Sequence, residues 1–185
     1  MRVVAGKWKG VHLKAGKFED LRPITNRIKE SLFGILGDQI ISTKILDLYA
    51  GSGSIGIEAL SRGASHCIFI ERSHKVADLL LRNLQKINIE HNNYEVVTAD
   101  VYKSIQTLSK RQAEFNTIFS DPPFRTPIAN RLLHALSKTN LLKTDGTLIL
   151  RHHKTELISD RIYNFESVRV KAFGDSIVRF LRQVL

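Results

Sequence analysis

Two short stretches of this chain hold the residue types that do chemistry. The first is Asp47-Leu-Tyr-Ala-Gly51-Ser52-Gly53-Ser-Ile-Gly56, a carboxylate followed by a loop of the form G-x-G-x-x-G. Glycine lets the backbone turn sharply where a Cβ would collide with a ligand or with the chain itself. Such a loop between a strand and a helix cradles a nucleotide-sized molecule, and alone it suits a dinucleotide as well as S-adenosylmethionine. Glu71 lies about 20 residues further on, where an acid holds a ribose diol in either case. Asp47 separates the two ligands. Its charge repels a pyrophosphate but attracts the ammonium and sulfonium of S-adenosylmethionine. Asp100 closes a later strand, where it can accept from an adenine amino group or cap the next helix.

The second stretch is Asp121-Pro122-Pro123-Phe124. An exocyclic amine on a nucleobase is a poor nucleophile, because its lone pair is delocalised into the ring. A carboxylate and a fixed carbonyl that accept its two N–H bonds favour a more pyramidal nitrogen and aim the lone pair at a methyl group. Two prolines lock the backbone and bring no competing N–H. Asp121 is therefore expected to orient the amine and Pro122 to supply the carbonyl. Pro123 stiffens the turn, and Phe124 gives an extruded base a face to stack on. The transfer itself depends mainly on proximity and alignment.

These groups need a scaffold that gathers strand ends. From Lys44 onward the pattern alternates, with strands over 44–49, 67–71, 94–98, 115–120 and 147–150. Helices fall near 54–62, after Ser73, near 101–109 and over 127–137, and Asp145-Gly146 is expected to turn into the fifth strand. This is the signature of an α/β, doubly wound, mostly parallel sheet, and each acid falls at the carboxyl edge where such sheets bind ligands. The tail differs: two strand-like runs, 166–173 and 176–182, flank Gly174-Asp175 and read as an antiparallel hairpin.

Residues 1–43 form an extension ahead of the 44–185 domain. It begins as a basic hairpin with Lys7, Lys9 and Trp8 near its tip, cations for phosphate and an aromatic for stacking. A helix follows, capped by Thr25 and stopped by Gly37, with Arg22, Arg27 and Lys29 keeping the segment basic. The run Arg151–Lys154 is expected at the surface. Its adjacent His152 and His153 point to opposite faces of an extended segment, so no metal site is expected.

Lys and Arg number 28 against 18 Asp and Glu, a net charge of +10. That excess favours a polyanion, with nucleic acid ahead of an anionic membrane surface. The single cysteine, Cys67, excludes a disulfide within the chain and a cysteine-built zinc site, and fits a reducing cytoplasm. No apolar run approaches the ~20 residues that span a membrane.

Taken together these stretches resemble the RsmD family, the bacterial 16S rRNA guanine-N2 methyltransferases. The resemblance covers nearly the whole chain: Met1–Gly10, the Leu21–Phe33 helix segment, Asp47–Ala64, the DPPF motif followed by Arg125, and Phe173-Gly-Asp-Ser176. Ile24, Asn26 and Arg151 stand where the family commonly has Thr, Asp and an acid. The resemblance implies a Rossmann-like class I methyltransferase with S-adenosyl-L-methionine as donor, held by Asp47, Gly51, Ser52, Gly53, Glu71 and Asp100. It implies one guanine of 16S rRNA as acceptor, in the small ribosomal subunit or a late assembly particle, with Lys7, Lys9, Arg22 and Arg125 on the RNA. No membrane partner is expected, and the chain is expected to be monomeric. Two rivals remain. DPPF also serves adenine-N6 methyltransferases on DNA or RNA, and a non-catalytic RNA-binding assembly factor could keep the scaffold. A dehydrogenase using NAD is disfavoured by Asp47.

Overall fold

In β1 (Lys44–Leu48) successive side chains point to opposite faces, and both faces are buried, so the strand must be covered twice. The computed structural model, which describes residues 1–16, 24–123 and 128–184, shows how this is done. Parallel to β1 run β2 (His66–Glu71), β3 (Tyr94–Thr98), β4 (Phe115–Ser120) and β5 (Leu142–His153). Three further strands, β6 (Arg161–Ile162), β7 (Phe165–Phe173) and β8 (Ser176–Gln183), complete an eight-stranded sheet of order β3-β2-β1-β4-β5-β8-β7-β6. The expected hairpin is present as β7 and β8, and β8 pairs antiparallel with β5.

One face of the sheet carries Ile45, Cys67, Phe69, Phe119, Ile149 and Val178. It is covered by α1 (Asn26–Leu36), α2 (Ser54–Ser61) and α3 (His74–Lys86). The other carries Leu46, Leu48, Ile68, Ile70, Ile118 and Leu148 under α4 (Val101–Lys110) and α5 (Ala129–Ser137). Each fully buried Leu or Ile contributes about 1.5–3 kcal/mol, so these two apolar layers are what hold the strand ends in register. Thr25 caps α1 by accepting from Ile28 N at 3.3 Å, and Gly37 ends it, as expected.

The fifth strand is longer than its apolar run suggests. Leu142 pairs with Phe115 and Thr147 with Thr117, so Asp145-Gly146 lies within an irregular stretch of β5 and does not form a separate turn. At the other end β5 continues through Arg151 and His152, which are buried, because β8 covers their edge. The expectation of a surface run over 151–154 fails for these two residues.

The N-terminal hairpin is tied down along its length. Val3 and Gly10 bond to Val11 and Val3, and the tip is docked on the end of α2. Lys7 N donates to Ser61 O at 2.7 Å and Trp8 N to Ser61 Oγ at 3.0 Å. Gly6, at φ +80°, approaches so closely that a Cβ would lie 1.8 Å from Ser61 O. Beneath the hairpin is a buried polar hub. Glu58 of α2 accepts from Val4 N at 2.8 Å and Ala5 N at 3.0 Å, and pairs with Arg62 at 2.9 Å and Lys29 at 3.5 Å. Lys29 Nζ also donates to Arg2 O at 2.6 Å. Lys29 is thus 1 % exposed, a core cation rather than part of a basic surface. Val3, Leu13 and Ile28 belong to the same apolar cluster as Ile45 and Ile57, so extension and sheet share a core.

Candidate active site

The order of strands reverses between β1 and β4, and ligands of open α/β sheets bind in the crevice at the carboxyl ends of such a pair. Leu48 and Ser120, the last residues of β1 and β4, are register partners. The glycine loop leaves one and Asp121 follows the other, so the two chemical stretches of the sequence meet at this crevice.

The loop is built for close approach. Tyr49, Gly51 and Gly53 all have positive φ (+61°, +55° and +86°). For Tyr49 the left-handed conformation costs about 1–3 kcal/mol, which the surrounding core must hold in place. At Gly53 a Cβ would lie 2.2 Å from the Leu80 side chain. Asp47 lies beneath the loop, 2 % exposed, and its Oδ2 accepts from Gly56 N at 2.9 Å in the first turn of α2. Burial pushes its carboxyl up to about 7. The Gly56 bond opposes the rise, and the charges of Asp121 and Glu71 add to it.

Glu71 braces the loop from β2, accepting from Gly51 N at 3.1 Å and from Ser73 N at 2.8 Å. Asp100 is the N-cap of α4, its Oδ1 accepting from Tyr102 N at 2.9 Å and Lys103 N at 3.2 Å. The Ser52 carbonyl accepts from Asn83 Nδ2 at 3.0 Å. The same amide brackets Lys14, donating to its carbonyl at 3.0 Å and accepting from its N–H at 2.9 Å. Asn83 therefore joins the glycine loop to the base of the basic hairpin, a role that sequence reasoning missed. The available signal was an amide inside the apolar stripe of α3, next to Leu84.

On the opposite wall Asp121 is gripped by Arg151, whose Nη1 lies 3.0 and 2.9 Å from the two carboxylate oxygens. Arg151 Nε donates to Ser176 Oγ at 3.1 Å. Burial raises the Asp121 carboxyl above its ordinary value and Arg151 opposes the rise. Pro122 is buried and Pro123 half-buried beside it. Phe124, Arg125 and Arg22, expected at the substrate, lie outside the described residues. Lys7 and Lys9 are exposed at the hairpin tip, away from this crevice in sequence. Trp8 packs against the core, with the Lys7 ammonium 5.4 Å from its ring centroid.

The crevice suits a cationic, hydroxyl-bearing ligand. Its walls carry Asp47, Glu71 and Asp121, and the loop brings no lysine or arginine for a phosphate. Buried hydroxyls at the same sheet edge await partners. Those of Ser54 and Ser120 have none among the described residues, and those of Tyr49 and Tyr102 are buried beside one another with no other partner among them. Buried polar atoms are rarely left so. Of the described helices none is long and apolar enough to cross a membrane.

The state of Asp47 has a measurable consequence. Because its carboxyl titrates higher in the folded chain than in the unfolded one, the folded state binds the proton more tightly, and stability falls as pH rises from 3.8 to about 7. Asp47→Asn keeps an oxygen for Gly56 N and does not titrate. Its stability relative to the parent chain should rise across that window and level off above it, as read from urea midpoints over a pH series. A difference independent of pH would mean that Asp47 does not titrate there.

The chain matches the family model described as "Conserved hypothetical protein 95" over residues 1–182. It is 34 % identical to ribosomal RNA small subunit methyltransferase D of Escherichia coli K12 over 183 residues, 99 % of this chain and 90 % of that protein. With the protein of the same name from Haemophilus influenzae it shares 35 % identity over 154 residues, 83 % of this chain and 79 % of the relative. Among solved structures it superposes on Escherichia coli yhhF, a provisionally named methyltransferase, with a TM-score of 0.86 and 26 % identity, over 100 % of this chain and 98 % of that one. A provisionally named methylase from Haemophilus influenzae gives a TM-score of 0.81 at 31 % identity, with the same coverage. The fold is thus the mostly parallel α/β sheet of class I methyltransferases with antiparallel strands at its C-terminal side, and the chain belongs to the RsmD family of methyltransferases.

Proposed function

We propose that this chain transfers the methyl group of S-adenosylmethionine to the exocyclic N2 amine of one guanine of 16S rRNA. The acceptor is the small ribosomal subunit or a late assembly particle in the cytoplasm. The observation that carries the reading is the meeting of the glycine loop and Asp121 at the switch point between β1 and β4. The names of its relatives, which refer to small-subunit ribosomal RNA, and the net charge of +10 support the choice of RNA.

When bound, S-adenosylmethionine supplies a methyl group on a positive sulfur: the S–CH₃ bond breaks as the N–CH₃ bond forms, and S-adenosylhomocysteine leaves. In this reading the backbone of Gly51, Ser52 and Gly53 would hold the methionine end, with Asp47 beneath the loop supplying a carboxylate to its positive groups. Glu71 would take the ribose hydroxyls on lone pairs left by its bonds to Gly51 N and Ser73 N, and Asp100 would accept from the adenine amine. Asp121 accepts one amine N–H and the Pro122 carbonyl the other, while Phe124 stacks on the extruded base and Arg125 meets its backbone. One amine proton leaves during the transfer, and Asp121, open on its crevice side, is the base placed to pass it to water.

The test is methyl transfer from labelled S-adenosylmethionine to undermethylated 30S subunits, naked 16S rRNA and duplex DNA, each digested to nucleosides. Labelled N2-methylguanosine is expected. N6-methyladenine would move the substrate to the adenine class, and no transfer with cofactor binding intact would leave an RNA-binding assembly factor.

The exposed tip of the hairpin gives a second test. Lys7→Glu with Lys9→Glu should raise the RNA KM without changing kcat. It should also flatten the fall of affinity with salt by about 0.7–0.9 in log–log slope for each phosphate that is no longer neutralised. An unchanged KM and slope would leave the hairpin a purely structural element.

A further inference from the structure

We propose that Arg151 is the positioning residue for Asp121, anchoring both carboxylate oxygens from behind and leaving their outward lone pairs to the substrate amine, with Ser176 fixing the guanidinium in turn. The geometry stands by itself; its catalytic meaning rests on the methyl transfer proposed above.

Sheet register makes the pair. Ser120 of β4 and Leu150 of β5 are partners, so the residues that follow them, 121 and 151, emerge side by side at the crevice edge. Arg151 bridges Oδ1 and Oδ2 of Asp121 with the single nitrogen Nη1, at 3.0 and 2.9 Å, and spends its Nε on Ser176 Oγ at 3.1 Å. An ionised carboxylate offers about four lone-pair directions. The bridge uses the inner side and leaves the outer side of each oxygen able to accept an N–H.

Exposure rises along the row. Ser176 is 5 % exposed and Arg151 7 %, whereas the Asp121 side chain is 24 % exposed. The cation is thus the buried member and the anion the one that meets the crevice. A lysine ammonium, a compact point charge, could supply the charge but could not pair a carboxylate and a serine hydroxyl through a rigid planar group.

The pair also decides the charge of Asp121. Burial favours its neutral form, and Arg151 on β5 opposes this. The Asp121 charge in turn raises the carboxyl of Asp47 on β1, a neighbouring acid that offers it no compensation. Without Arg151, burial would act on Asp121 unopposed, and its neutral form would gain. A protonated Asp121 keeps one lone-pair-rich oxygen but turns the other into a donor, which cannot accept from an amine.

The experiment compares the parent chain with Arg151→Met, Arg151→Lys and Ser176→Ala. It reads the titration of the Asp121 carboxyl by carbon-13 NMR and the pH profile of kcat/KM. In Arg151→Met the Asp121 titration should move up by about 1–3 pH units, and the acid limb of the profile should move with it. Arg151→Lys should return the limb towards its original position while the plateau kcat stays low. Ser176→Ala should lower the plateau with the KM for S-adenosylmethionine unchanged. An Asp121 titration or an acid limb that does not move in Arg151→Met overturns the proposal. Should that variant not fold, parental kcat in both Arg151→Lys and Ser176→Ala would overturn it instead. If the parent chain transfers no methyl to any acceptor, the methyl-transfer reading falls, while the NMR titrations still decide whether Arg151 governs Asp121.

Discussion

Asp121→Asn should lower kcat for methyl transfer by about 10²–10³-fold, the cost of removing one preorganised polar partner from a transition state. The affinity for S-adenosylmethionine should stay near that of the parent chain. The substitution keeps shape and volume, so the crevice wall is preserved. What changes is the chemistry of one oxygen. Asn presents a single carbonyl oxygen and an amide N–H₂, and Arg151 Nη1 lies 2.9–3.0 Å from both positions. The guanidinium, a donor only, bonds the carbonyl but meets the amide N–H₂ donor to donor, whichever way the amide sits. The wall then loses its negative charge and one of its two acceptors, and the N–H₂ repels an amine that needs an acceptor. Single-turnover rates with saturating cofactor, beside a calorimetric Kd, separate the two effects. A rate within about fivefold of the parent would remove Asp121 from the chemistry, since a transition-state partner is worth more than that.

Glu58→Ala should destabilise the chain by about 3–5 kcal/mol, because it strands a buried cation. Glu58 is 1 % exposed and serves Val4 N, Ala5 N, Arg62 and Lys29 together. Removing it leaves Lys29 with Arg2 O as its remaining hydrogen-bond partner among the described residues, and leaves the hairpin's two N–H groups without acceptors. For a chain of this size each kcal/mol is worth about 2–4 °C in Tm, so a fall of roughly 6–20 °C is expected. Glu166→Ala is the control. Its partner Arg161 is exposed and held at 3.0 Å, a surface ion pair of the kind that adds little, and Tm should hardly change. Equal effects in the two variants would show that the buried hub is no more important than the surface pair.

How far the sequence could be read depended on where each signal resided. The parallel sheet was legible because apolar runs such as Ile45–Leu48 and Phe115–Ser120 recur between helical patterns, and because Gly51, Gly53 and Gly56 allow the sharp strand-to-helix turn that a Cβ would block. The hairpin of β7 and β8 was legible in Gly174-Asp175. The capping role of Asp100 is local and was legible, but the partner of Asp121 was not, because it comes from a strand far away in sequence. Nothing near Asp121 announces Arg151, 30 residues on, since only the register of β4 with β5 brings them together. For the same reason Arg151 and His152 read as polar surface although β8 buries them. Lys29 read as one more cation of a basic segment, and nothing near it points to Glu58, 29 residues on, which it meets only once α1 and α2 are packed. Asp47 was legible as a carboxylate of the loop, but its bond to Gly56 could be seen only once the loop had a shape.

The buried hub also bears on how the chain is made. Ala5 N–H finds its acceptor on Glu58, 53 residues later, and Lys14 finds Asn83, 69 residues later. At about 5–20 residues per second, synthesis brings Glu58 roughly 3–10 s after Ala5. Until α2 and α3 have emerged, the hairpin segment has neither its carboxylate nor its amide to close on. The hairpin is therefore synthesised before the groups it closes on, and it reaches its native contacts only after they have been made.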